Sequence, residues 1–548
     1  MSVLYRRQLL YKYKRCVYGR SKSTSSQSNK SSDWVPTIGL EVHAQISSKS
    51  KLFSGASTDF SSPVNNCVSF FDAAIPGTLP VLNQKCVESG IRTALALNCS
   101  VHRLSMFERK HYFYADLPSG YQITQQRKPL ASNGFLEFYV DTDHNNKKIK
   151  RYKKASKLLR IQLEQDSGRS LHDEYENKSL VDLNRAGIPL MELVFNHDLN
   201  NGEEAASLVK ELVAVLQALN TCNCKMEEGA LRVDANVSLS KPQQGDKNIE
   251  LGIRTEIKNI GSIRGVANAI KYEINRQKEI LNSGGKIVNE TRAWDAAKKI
   301  TVAMREKEDR HDYRFMPEPN LPPLILKIDS DPIHSNQSIV SSNDKWYKPD
   351  DSSDLINVLS LKATLPELPH ETRSRLVTDY NLTPELAITL VDDSKLLSHF
   401  LYIAENTKMN PMKAAKFLIN ELLTVLNKNK IEIVDSPITK ENLTEILNLL
   451  HEEKINSNTA KLLLQYLIED QSKTPIEIMK ENNWVQISDE DELTKICQEI
   501  IEQNPKLVKL YKGGKKKVLF ALLGDISKKT ENRANMSKVS QILENMLK

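Results

Sequence analysis

In the stretch 37–46, TIGLEVHAQI, Glu41 and His43 stand two residues apart, opposite a face made of Ile38, Leu40, Val42, Ala44 and Ile46. Strict alternation is the period of a strand with one buried face. Three more stretches repeat the arrangement. LRIQLEQD sets Arg160, Gln162 and Glu164 opposite Leu159, Ile161 and Leu163. LRVDANVSL sets Arg232, Asp234, Asn236 and Ser238 opposite Leu231, Val233, Ala235, Val237 and Leu239. GIRTEIKNI sets Arg254, Glu256 and Lys258 opposite Ile253, Thr255 and Ile257. Each polar face thus carries an acid near its middle, although Asp, Asn and Glu are depleted in strands. Like charges on neighbouring strands repel unless a cation sits among them. A divalent ion answers that need, because hard cations take oxygen ligands and Mg2+ commonly shares one or two carboxylates with substrate phosphates. The interleaved Arg and Lys suit phosphate oxygens. The set points to a nucleotide–Mg2+ site on an open sheet face. The plainer alternative is solvated strand faces, with His43 a hydrogen-bonded strand histidine. Sheet order and register decide between them.

Such strands imply an antiparallel sheet with one face on a core. Residues 34–324 are rich in short alternating segments punctuated by Gly, Pro and Asn. Residues 329–354 look like a boundary or an irregular insertion. From about 355 the apolar residues recur at i, i+3 and i+4, which is helical spacing. NLTPEL reads as a helix start, with Thr383 as cap and Pro384 at the first position. SNTAKLLLQYLIED offers another cap at Ser457 or Asn458. No fixed-period repeat is apparent. The expected fold class is α+β, with an antiparallel-sheet domain (34–324), a helical domain (325–480) and a small helical tail (481–548). The tail concentrates Lys512, Lys515, Lys516, Lys517, Lys528, Lys529, Arg533 and Lys538. They suit phosphate-backbone contacts or, equally, a solvated lysine-rich surface.

With 548 residues, the chain is too long for one core. Hydrophobic residues make up 40% and charged residues 26%, a soluble globular balance. No apolar run approaches the roughly 20 residues a membrane span needs. The net charge of +7 is local. Eight basic residues and no acid fall within residues 1–32, and removing them leaves 68 basic against 69 acidic residues. A basic, Ser- and Tyr-rich start without a compact apolar run reads as a mitochondrial transit peptide over 1–33; a disordered nucleic-acid-binding arm is the alternative. Seven unevenly spaced cysteines give no disulfide framework. Cys222 and Cys224 lack the second pair that a zinc site needs and read as buried thiols. No G-x-x-x-x-G-K-[ST] loop and no G-x-S-x-G elbow occur. Phosphoryl chemistry here must therefore use side chains and metal rather than a glycine cradle.

IGLEVHAQISSKSKLFS, RKHYFYADLPSGYQITQ, LEQDSGRSLHD, SLVDLNRAGIPLMELV, KMEEGALRVDANVSL, RTEIKNIGSIRGVANAIKYEINRQ, ETRAWD and DYRFMPEPNLPPL follow one another in order. Together they resemble the B subunits of the aspartyl/glutamyl-tRNA amidotransferases, over nearly everything after residue 34. The resemblance implies a glutamine-synthetase-like cradle domain and a kinase–transamidase activity using ATP and Mg2+. A tRNA(Gln) wrongly charged with glutamate is phosphorylated on its side-chain carboxylate. Ammonia, released from glutamine by the partner amidase (the A subunit), then displaces phosphate. A small third subunit is implied too, either the usual C subunit or a lineage-specific replacement. With the leader, the location implied is the mitochondrial matrix and the substrate misacylated tRNA(Gln). An acyl phosphate hydrolyses readily, so ammonia should arrive by a protected path.

Carried onto this chain, the resemblance implies Glu41, His43, Glu164, Asp234 and Glu256 as metal or metal-water ligands. Lys110, Arg185 and Lys258 become phosphate or substrate contacts, with Glu192 and Glu228 completing the catalytic set. In the tail, ISKKTENRANMSKVSQILENML is similar to the family's tRNA-contacting region, with changed residues around Asn535. That assigns Lys515, Lys516, Lys517, Lys528, Lys529, Arg533 and Lys538 to the tRNA backbone. Lys110 could instead pair with Asp116, Arg185 and Glu192 could form structural ion pairs, and Arg314 could brace a turn. Bacterial members carry two adjacent acids where this chain has Glu164 and Gln165. Strand alternation lets only one of the two face the site. A tRNA-binding scaffold with a decayed nucleotide site, or a stand-alone ligase for a small acid, are the competing functions.

Overall fold

The alternating stretch at 37–46 forms β1 (Val35–Gln45), with Ile38, Leu40, Val42 and Ala44 fully buried and Glu41 and His43 half-buried on the opposite face. The computed structural model describes residues 34–547 apart from 145–146, 174, 242–251, 307–312, 329–354, 471 and 514. The expected leader at 1–33 and the irregular stretch at 329–354 lie outside the described residues. The remaining strands of the main sheet are β2 (Ser100–Val101), β3 (Ala131–His144), β4 (Lys147–Gln165), β5 (Pro189–Phe195), β6 (Leu231–Ser240), β7 (Thr255–Ile260), β8 (Glu290–Asp295) and β9 (Ile300–Glu306). They run in the order β9-β8-β7-β6-β1-β5-β4-β3-β2, which places β1 at the centre. Every pairing is antiparallel except β7 with β8.

One face of the sheet is the core. The helices Gln84–Ala96 and Ile263–Asn282 pack against it, started by Asn83, which accepts from Lys85 N–H, and Ser262, which accepts from Gly265 N–H. Gly90 lets the first helix come close: a Cβ there would lie 2.6 Å from Leu130 Cδ2 and 3.2 Å from Leu163 Cδ2. A smaller sheet joins 108–111, 121–124 and 316–317 beside the main one. One expectation needs correcting. Leu159, assigned to the core face, is 45% exposed, while Leu158 is buried. The register between β4 and β5 slips at Val194/Phe195, where Arg160 and Leu158 face consecutive residues. Leu159 is the extra residue of that bulge, and a bulge shifts the alternation by one.

The contacts divide into two units, Met1–Val213 with Thr221–Lys362 and Ala214–Asn220 with Ala363–Lys548. The first carries on past Leu324: 324–325 pairs with 104–105, and Lys327 bridges to Asn357. From Pro369 onward the described residues are helical. Thr383 caps Pro384–Val391 as expected, accepting from Leu386 N–H. The cap of Ser457–Glu469 is Asn456 rather than Ser457 or Asn458, its side chain accepting from Thr459 N–H. The helices have two cores, one built from Leu376 to Met479 and one from Leu493 to Leu547. The fold is α+β: a mostly antiparallel sheet, then helices.

Candidate functional site

Register brings the polar side chains into one field. His43 lies opposite Glu192 on β5 and Arg232 on β6; Glu41 lies opposite Asp234; Glu192 lies opposite Gln162; Asn236 lies opposite Glu256. Residues directly opposite share a face. Glu41, His43, Glu164, Glu192, Asp234 and Glu256 therefore come from five adjacent strands to one side of the sheet.

Two groups form there. In the first, His43 Nε2 is 3.4 Å from Glu164 Oε1, and single donor atoms of His43, Glu164 and Glu192 all lie within 4.8 Å of one another, the one such group among the described residues. Gln162 Nε2 donates to Glu192 and to Thr124 Oγ1, which donates to Glu164 at 3.2 Å. Burial alone would pull the imidazole down, but the Glu164 carboxylate outweighs it and raises His43 to about 9. Burial would push Glu164 up, and His43 holds it at about 2 instead. Glu192 lacks such a partner: burial, then the charge of Glu164, raises it to about 7. In the second group Lys258 Nζ lies 2.6 Å from Asp234 Oδ2 and 3.3 Å from Glu256 Oε1. Burial opposes its charge, but the two carboxylates hold it well above the usual lysine range. Thr291 Oγ1 donates to Glu256 and Asn236 Nδ2 to Glu41, both at 3.1 Å.

Lys110 approaches the first group from the smaller sheet. Its Nζ lies 5.0 Å from the Tyr313 ring centre, and its charge favours the ionised forms of Glu164 and Glu192. Arg185 lies 3.4 Å from Asp166 Oδ2 and donates to the carbonyls of Ser167 and Gly168. Glu228 pairs with exposed Lys225 at 2.6 Å and takes part in neither group. Of Glu164 and Gln165, it is Glu164 that reaches His43; Gln165 lines a separate cavity of about 300 Å³ with Asp72 and Asp166. In the tail, Lys515, Lys516, Lys517 and Lys528 are exposed. Lys529 pairs with Glu499, Arg533 donates to Asn483 O, and Lys538 Nζ donates to Ser488 O.

Sequence reasoning left out Arg232 and Asp166, which pair at 3.0 Å beside the first group, and the amides Gln162 and Asn236. The polar-face alternation puts Arg232, Gln162 and Asn236 on this side; what it does not show is which of them meet. The donors fit a divalent cation. Glu164 and Glu192 offer carboxylate oxygens and His43 an imidazole nitrogen, a set that suits Mn2+ as well as Mg2+. Gln162 Oε1 and Asn236 Oδ1 on the same face are buried acceptors without a hydrogen-bond donor. A buried acceptor left unmatched is costly, and a cation or its bound water would relieve it.

The sequence matches the family described as the GatB/GatE catalytic domain over residues 36–331, and the GatB domain over 398–547. The Aedes aegypti protein named as the mitochondrial B subunit of glutamyl-tRNA(Gln) amidotransferase is 51% identical over 98% of both chains. The Homo sapiens protein of that name is 44% identical over 94% of this chain and 88% of its own. The B subunit of the aspartyl/glutamyl-tRNA(Asn/Gln) amidotransferase of Rickettsia canadensis is 40% identical over 94% and 98%. No helix among the described residues is long and apolar enough to cross a membrane. Matched by both domains along most of its length, the chain belongs to the GatB family of amidotransferase B subunits.

Proposed function

We propose that this chain is the B subunit of a mitochondrial, glutamine-hydrolysing amidotransferase that converts Glu-tRNA(Gln) to Gln-tRNA(Gln), and that its sheet face carries the ATP-dependent step. The observation that supports this most is the convergence of carboxylates from β1, β4, β5, β6 and β7 on one face, with Lys110, Arg232 and Lys258 among them. A carboxylate is a poor electrophile. Transfer of the γ-phosphoryl group of ATP to the side-chain carboxylate of the tRNA-linked glutamate makes phosphate the leaving group; ammonia then forms the C–N bond as the C–O bond to phosphate breaks. A Mg2+ ion held by His43, Glu164 and Glu192 would supply charge neutralisation to the triphosphate.

The chain's own groups do the rest. Lys110 meets phosphate oxygens at the edge of the first group. Lys258, held by Asp234 and Glu256, presents a fixed ammonium to anionic substrate. Asp234 and Glu256 keep that ammonium in place. The ammonia donor is the partner amidase, and a small third polypeptide completes the assembly. The exposed Lys515, Lys516, Lys517 and Lys528 suit the tRNA backbone. The rival, a scaffold with a decayed site, rests on Gln165, and Gln165 stands outside the His43–Glu164–Glu192 group. Reconstitution with the amidase, misacylated tRNA and ATP tests the assignment. Asp234→Asn and Glu256→Gln abolish transamidation and leave glutamine hydrolysis on the partner largely intact. Normal turnover in both variants overturns the site assignment.

A further inference from the structure

The chemistry outlined above places phosphates near Lys110 and says nothing of where the base of the nucleotide goes. A cavity of about 620 Å³ opens beside that lysine, lined by the rings of His111, Tyr112, Phe113, Tyr114 and Tyr313 and by Arg314. It is made by two segments some 200 residues apart, and two of its large aromatic side chains stand in water: Phe113 is 86% exposed and Tyr114 52%. The rings hold one another edge to face, Tyr112 with Tyr114 at 5.6 Å and 67°, Tyr112 with Tyr313 at 6.2 Å and 77°. Phe113 lies on the backbone of Gly120, where a Cβ would come within 3.0 Å of Phe113 Cε1 and where φ is +72°. Only glycine allows both that turn and that approach. One ring face is thus supported by protein while the side chain stays open to solvent.

Exposed aromatic rings beside a cation match a flat nucleobase with its phosphates close by. Lys110 joins the two halves: its Nζ lies 5.0 Å from the Tyr313 ring and 6.0 Å from the Tyr112 ring, and its charge acts on Glu164 and Glu192. A base among the rings therefore has its phosphates at Lys110 and their far end toward the carboxylates. His111 adds selectivity. Its Nδ1 is 3.0 Å from the carbonyl oxygen of Arg314. A carbonyl can only accept, so Nδ1 carries the hydrogen, and Nε2 of the neutral ring is an acceptor. An acceptor suits the exocyclic amino group of adenine and opposes the O6 carbonyl of guanine. We infer that this aromatic cup holds the adenine of ATP and that His111 favours ATP over GTP. The inference rests on the ATP reading of the sheet face.

The test uses the reconstituted complex, with steady-state transamidation measured against ATP, GTP and Glu-tRNA in turn. Phe113→Ala removes a ring that touches mostly water. It raises KM for ATP by about 10-fold, a conservative effect for losing one base–aromatic stack. It leaves KM for Glu-tRNA and the melting temperature unchanged. His111→Phe keeps a ring, removes the acceptor and narrows the ATP-over-GTP preference. The inference is overturned if Phe113→Ala leaves KM for ATP within twofold of the parent. It is overturned equally if KM for Glu-tRNA rises in place of that for ATP, which hands the cup to the terminal adenosine of the tRNA. Asp234→Asn is run in parallel. If it stops transamidation while Phe113→Ala changes nothing, the cup alone is refuted; if it turns over normally, the ATP reading beneath has failed.

Discussion

Glu192→Gln separates what a buried acid does for stability from what it does for a cation. Glu192 is 9% exposed and lies among His43, Glu164 and Gln162. Burial and the charge of Glu164 raise it from an ordinary 4.5 to about 7. A carboxyl whose native pKa is raised binds more protons folded than unfolded, so stability falls as pH rises through that window. Below pH 4.5 the group is neutral in both states and imposes no penalty. Above pH 7 it is ionised in both, and the native state carries a penalty of about 3 kcal/mol. Glutamine is neutral throughout and still accepts from Gln162. With a chelator present, the variant is therefore the more stable protein at pH 8, by about 2–3 kcal/mol, and the gap closes by pH 4.5. Added Mg2+ or Mn2+ reverses the order, because a cation at a hundred times its dissociation constant stabilises the parent by about 2.7 kcal/mol and the variant has lost a ligand. Hydrogen exchange read on β1 and β5 peptides reports the opening of this sheet without requiring the whole chain to unfold in one step. A variant no more stable than the parent at pH 8 in chelator, or a gap that does not shrink toward pH 4.5, refutes the electrostatics. Equal protection of both proteins by metal removes Glu192 from the ligand set.

Lys51 is fully buried, its Nζ 3.2 Å from Asp72 Oδ2 and 3.3 Å from the carbonyl of Leu183. Lys51→Met strands that carboxylate and costs about 3–5 kcal/mol; adding Asp72→Asn recovers most of it, as urea denaturation of the sheet unit will show. Alanine at Lys515, Lys516 and Lys517 together raises KM for the tRNA and lowers the steepness of its salt dependence by about one for each phosphate no longer neutralised. An unchanged salt slope returns those lysines to a solvated surface.

Alternation is enough to place Glu41, His43, Asp234 and Glu256 on one side of the sheet, because a period of two survives wherever one face is buried and the other is not. It fails at Leu159 because a bulge adds one residue and shifts the phase, and nothing in LRIQLEQ marks the slip. Glu192 is hidden from the alternation for a different reason. In PLMELVF every residue but Val194 is buried, so the strand reads as an apolar run interrupted by one acid rather than as two faces. Its partner across the sheet, His43, emerges only from register. The aromatic cup lies furthest from the sequence. Phe113 and Tyr313 come from stretches 200 residues apart, and a contact between them depends on where the loops of two strand pairs end.

That division also explains why the acids can tolerate one another. The sequence suggests Glu41, Asp234 and Glu256 sharing one ion with His43 and Glu164, yet Lys258 already sits between Asp234 and Glu256 at 2.6 and 3.3 Å. An ammonium at that distance offsets the repulsion as a metal would, so the second group is electrostatically complete as it stands. The first is not. His43 balances Glu164, and nothing comparable balances Glu192. Physical need for a cation therefore concentrates at the edge of the face nearest Lys110, and the fixed ammonium of Lys258 marks the side on which an anionic substrate would meet it.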